Sequence, residues 1–211
     1  MNVLTDSLPT QIAVGEYILD IDYDYRNCMT IILAMEDQYL TNEEKAFVLL
    51  DRLYIDLPDD VDIMLAFKQG IRFLDGGEEQ EQSITPKKSK PRVYSFDKDS
   101  KYIFTAVDRV LDGKVSNNSK IHWWLFTMAF MECPEDSMFN RIVHLRTQKL
   151  KGKLTKEERH TWNQMRDILE LEQSTDFKDE QEQEQATVNM KSFMEQEIER
   201  RKRAKNEPGK S

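Results

Sequence analysis

Three histidines, two cysteines and a triplet of alternating aspartates are the residues of this chain best suited to chemistry. A catalytic histidine needs a partner held against it and a reason to titrate near neutrality. His122, His144 and His160 each stand without a local motif. No HExxH, GxSxG, Walker loop or GxGxxG turn occurs. Seven glycines leave little material for a phosphate cradle. Cys133 with His144 and His160 fits no zinc-ligand spacing. Cys28 and Cys133 lack CxxC spacing and read as small buried side chains of a reducing compartment. Asp20, Asp22 and Asp24 have the alternation of calcium ligands. The loop glycine and the distant bidentate glutamate of an EF-hand are missing from their places. The plainer expectation is a strand edge running into a helix, with Asp24 close to its start. These readings predict no catalytic residue, no metal, no cofactor and no enzyme.

What remains is a surface chemistry. Arg141, Arg146, Lys149, Lys151, Lys153, Lys156 and Arg159 face only Glu157 and Glu158 as local acids. Beside Trp123 and Trp124 such a run could track a nucleic acid. The tryptophan pair, however, sits in a stretch that reads as buried, and the whole chain carries a net charge of −9. Nucleic-acid binding needs positive charge to displace counterions. Solvated faces, or docking onto an acidic protein surface, are the better expectations.

The positioning elements follow from local signals. Residues 121–131 are apolar almost all round, as in a central bundle helix. Pro134 suits the first turn of a new helix, with Met138, Ile142 and Leu145 on one line and Gly152 as its stop. Thr155 to Glu158 reads as a capping box opening a third helix, with Trp162, Met165 and Leu169 on its apolar side. Earlier, Ile12 and Val14, then Tyr17, Leu19 and Ile21, alternate about Gly15-Glu16, predicting a hairpin with a type II′ turn. Helices are expected over Tyr25–Glu36, from the Thr41–Glu44 capping box, from Pro58, and over Phe96–Leu111.

The totals bound the rest. The 211 residues suffice for a real core, yet 33% are charged against 39% hydrophobic, so part of the chain is expected outside it. Residues 1–76 read as the hairpin plus three helices. Residues 77–93 form a charged, proline-containing linker. Residues 94–171 form a four-helix block, and residues 172–211 a charged tail. The linker cations Lys87, Lys88, Lys90 and Arg92 are better read as spacer than as site. In the tail, Val188, Phe193, Met194 and Ile198 precede a basic close and could form the apolar side of a docking helix. The fold class is mainly α: a multi-helix bundle with a small N-terminal β-hairpin and a helical or disordered C-terminal tail. No signal peptide and no apolar run of membrane-spanning length is read, so no membrane partner is expected.

Several stretches together carry a family resemblance. They are Leu4 to Pro9 with the hairpin, Asp24 to Arg26, Tyr94 to Ile103, Ile121-His-Trp-Trp-Leu-Phe126, Pro134 to Phe139 and Ile142 to Arg146. Over roughly residues 1–170 the sequence resembles the bacteriophage gene-product-fifteen family of tailed phages and prophages. The resemblance implies a gene between those of the major tail protein and the tape-measure protein, where tail assembly chaperones lie. It implies no catalytic residues. The expected function is a non-catalytic tail assembly chaperone in the cytoplasm of the infected bacterial host. Its partners would be the tape-measure protein, with the major tail protein as a second candidate, and no nucleic acid. A structural tail or neck adaptor retained in the virion is the alternative. The expected partner-binding residues are Trp123, Arg141, Arg146, Lys149, Lys151, Lys153, Phe193, Met194 and Ile198.

Overall fold

A computed structural model describes residues 2–77 and 91–171. The described chain is mainly helical with one N-terminal hairpin, and it divides into two compact units. The tail from Glu172 lies outside the described residues, as does most of the stretch read as a linker.

In the first unit, strands β1 (Gln11–Val14) and β2 (Tyr17–Asp20) pair antiparallel in the register Val14 to Tyr17 and Gln11 to Asp20. Gly15 alone takes positive φ at the two-residue turn, as a type II′ turn requires of its first central residue. Past β2, Ile21 bridges Tyr54. The Asp22 amide donates to the Leu53 carbonyl, and the Ile55 amide to the Asp20 carbonyl. Ile12, Val14, Leu19 and Ile21 are buried; β1 packs on α3 (Ile63–Leu74), which packs on α2 (Asn42–Leu53), and α2 on α1 (Tyr25–Glu36). The α3 helix meets α2 at Gly70, where the ideal Cβ position lies 2.6 Å from Leu49 Cδ2. The buried Tyr54 hydroxyl donates to the Ala66 carbonyl at 2.7 Å.

The second unit holds α4 (Ser100–Val110), α5 (Trp123–Met131), α6 (Met138–Leu150), α7 (Lys156–Gln164) and α8 (Arg166–Leu169). Ahead of α4, Tyr94 and Phe96 join Phe130 and Phe139 in an aromatic group with centroids 5.3–6.1 Å apart, the Tyr94 pairs edge-to-face and the Phe130 pairs with Phe96 and Phe139 tilted. A second apolar cluster, of Ile142, Leu145, Trp162 and Leu169, seats α7 and α8 on α6.

Three helix starts differ from the sequence expectation. The helix expected at Pro58 begins at Ile63, because Asp62 and not Asp59 or Asp60 accepts the capping amide, that of Leu65. The one expected at Phe96 begins at Ser100, since Phe96 is drawn into the aromatic group. Pro134 opens a turn instead of a helix, and Ser137 caps α6 through the Asn140 amide. The third helix of the central stretch breaks at Met165, and the break leaves Leu169 almost wholly buried. Both capping boxes form: Thr41 with Glu44 and Thr155 with Glu158 each exchange two hydrogen bonds of 2.8 and 3.2 Å.

Candidate surface for a protein partner

Each residue suited to chemistry has a local structural role. His122 caps α5: its Nδ1 accepts the Trp124 amide at 3.0 Å. His144 Nε2 lies 2.9 Å from Glu158 Oε1, joining α6 to the start of α7. His160 meets Gln164 one turn along α7. Burial raises both thiols above their ordinary range, and Asp22 and Asp24 add to the effect at Cys28, so neither is a ready nucleophile. The alternating aspartates have separate partners. Asp20 accepts from Gln11 Nε2 at 2.7 Å, Asp22 from the Asp24 amide, and Asp24 caps α1 through the Arg26 amide. Asp108 is held below the usual carboxylate range, chiefly by the Ser116 amide. With the Val115 amide this pins the loop after α4. No group of three or more His, Cys, Asp or Glu among the described residues could hold a metal ion.

The basic run divides. Arg146 is no surface cation: it is 3% exposed and faces Asp99, itself 0% exposed. Nη1 lies 2.5 Å from Asp99 Oδ2 and Nη2 3.0 Å from Oδ1. Nε donates to the Leu169 carbonyl, Nη1 to that of Val93 and Nη2 to that of Ile168. All five guanidinium donors are therefore used. A buried charge demands such pairing, and the terminal carbonyls of α8 are natural acceptors for a cation. Arg146 is removed from the expected partner surface for this reason. Trp123 is removed with it. Both tryptophans are buried, and Trp123 stacks on Phe126 with centroids 5.9 Å apart. The exposed side of α5 is instead Leu125, Met128 and Met131.

Arg141, Lys149, Lys151 and Lys153 are exposed. Arg141 lies in the first turn of α6, whereas Lys149, Lys151 and Lys153, with Lys156 and Arg159, lie in and around the α6–α7 turn, where Gly152 takes positive φ and Leu150 is 54% exposed. Lys149 Nζ lies 5.3 Å from the Trp162 ring centroid, so this cation also covers the edge of the core. Phe193, Met194 and Ile198 lie outside the described residues. Asp99 as the partner of Arg146, and Leu150 as an exposed apolar centre, are absent from the sequence expectations. A leucine within a lysine run was the available signal for the second; nothing local signalled the first.

No helix among the described residues is long and apolar enough to cross a membrane. No curated protein and no solved structure matches the chain. Residues 4–171 match the family described as Bacteriophage Gp15 protein. That match spans both units from the turn before β1 to the end of α8, and the chain belongs to this bacteriophage family.

Proposed function

We propose that the chain is a non-catalytic tail assembly chaperone. It binds the tape-measure protein, in the host cytoplasm, before the tail tube polymerises. The observation that carries this reading is the exposed basic turn between α6 and α7, centred on Leu150, in a chain of a phage family. A tape measure is a long helical protein with apolar stripes that aggregate when uncovered. A helical unit offering an exposed leucine in a lysine-rich turn is suited to cover an acidic, amphipathic stretch of it. The local roles of the three histidines support a non-catalytic reading.

Co-expression with the tape-measure protein of the same genome tests this. Co-purification that keeps the tape measure soluble is expected, reduced at least about tenfold when Lys149, Lys151 and Lys153 are changed to Glu, a loss of ~1.4 kcal/mol. No binding with both proteins folded would transfer the weight to a structural tail or neck adaptor, which family membership also supports. Stoichiometric recovery from purified virions is the mark of that adaptor.

A further inference from the structure

The two units differ in charge. Residues 2–77 carry five Lys and Arg against fifteen Asp and Glu, a net −10, whereas residues 91–171 carry fourteen against eleven, a net +3. The imbalance has a local focus in each unit. In the first, side chains alternate across the sheet, so the buried Ile21–Tyr54 pair places Asp20 and Ile55 together on the opposite, solvent face. Ile18 lies two residues before Asp20 on that face, opposite Ala13. Ile18 and Ile55 are 71% and 70% exposed. They are diagonal neighbours across the sheet, with Asp20 on their face and the exposed Glu16 and Asp56 at its margins. In the second unit, the exposed Leu150 stands in a turn whose exposed residues include Lys149, Lys151, Lys153, Lys156 and Arg159, with Glu157 as an exposed acid. One patch is apolar with an acidic margin; the other is apolar with a basic margin.

We propose that copies of this chain associate head to tail, Leu150 and the lysines of the α6–α7 turn of one copy seating on the Ile18–Ile55 face of the next. Opposite margins steer the encounter and exclude like-with-like pairing, while the exposed aliphatic side chains supply the dry centre. Because the two patches differ, the contact is heterologous: each added copy leaves one patch of each kind open. A heterologous contact closes into a ring or extends into an open assembly, so the assembled fraction grows with concentration. The same turn is the surface proposed above for the tape measure, so a second copy and the tape measure would compete for it; sedimentation of this chain alone tests the self-association, and its failure leaves the chaperone reading standing.

Sedimentation velocity of the full chain from about 1 to 100 µM, at 50 mM and 500 mM NaCl, tests it. The expected result is a weight-average mass that rises with concentration at low salt and falls towards the monomer at high salt. Two variants separate the patches: Ile55→Ser with Asp56→Lys, and Lys149→Glu with Lys151→Glu and Lys153→Glu. Circular dichroism checks that each retains its helices. Each variant alone is expected to stay monomeric across the range. Their equimolar mixture is expected to form a 1:1 dimer and grow no further, because only one intact patch of each kind remains. A wild-type chain that is monomeric throughout would overturn the proposal. So would a dimer that both variants retain.

Discussion

At the scale of single residues, Arg146 is the most consequential side chain described. Removing one partner of a buried ion pair leaves the other uncompensated, at a cost of about 3–5 kcal/mol. Arg146→Met is expected to destabilise the second unit by that amount in urea unfolding. Adding Asp99→Leu should return only part of the loss, because the carbonyls of Val93, Ile168 and Leu169 still lack their donor. Full recovery by the double variant would show that the carbonyls find other partners. Gly70 is the corresponding residue of the first unit. Alanine would gain about 1 kcal/mol of helix propensity. Its methyl, however, would stand 2.6 Å from Leu49 Cδ2 and 3.1 Å from Leu53 Cδ2, both on fully buried leucines. Overpacking costs about 1–3 kcal/mol, so Gly70→Ala is expected to lower stability by about 1 kcal/mol. A raised denaturation midpoint would mean that the two leucines move aside freely.

At the scale of elements, α7 depends on its first turn. Thr155 and Glu158 cap each other, and Glu158 also meets His144 of α6. Thr155→Ala is expected to cost about 1 kcal/mol, seen as earlier exposure of Trp162 in a fluorescence-monitored melt. The Glu158 carboxyl is held below its ordinary range, first by the Thr155 amide and then by His144. Its folded pKa is lowered, so its contribution is fully present above the unfolded value and is lost as pH falls through the folded one. Acid should therefore loosen α7 in wild type, and Glu158→Gln should flatten that acid limb of the Trp162 signal. An unchanged limb would assign it to another carboxylate. The capping boxes were legible in the sequence because donor and acceptor stand three residues apart. The start of α3 was not: Asp59, Asp60 and Asp62 all suit a cap, and packing of the apolar face of α3 selects Asp62. The break at Met165 was equally hidden, since Trp162, Met165 and Leu169 keep helical spacing across it.

At the scale of the whole molecule, what the sequence conceals is separation along the chain. The apolar character of residues 121–131 announces a buried helix, but Arg146 looks like any other member of a basic run until Asp99, 47 residues earlier, is placed against it. That pairing also says what the second unit is. Val93 stands near its start, Ile168 and Leu169 at its end, and one guanidinium bonds all three carbonyls. The two ends of the described stretch 91–171 therefore lie side by side, as chain ends do in domains that fold alone or tolerate insertion into another chain. Lys98 adds a second tie, donating to the Glu170 carbonyl. Residues 91–171 expressed alone are expected to melt in one cooperative transition with the near-ultraviolet tryptophan spectrum expected for three buried indoles. A fragment ending at Gln164 loses Leu169 from the apolar cluster and two acceptors from Arg146. It should show helical far-ultraviolet dichroism without a sharp melt, because losing the clasp removes specific packing before it removes helices. If both fragments melt alike, α8 is an ornament of this unit and Asp99 with the Val93 carbonyl suffices to hold Arg146. If neither melts cooperatively, the unit depends on chain beyond its own ends, and the clasp is insufficient to close it.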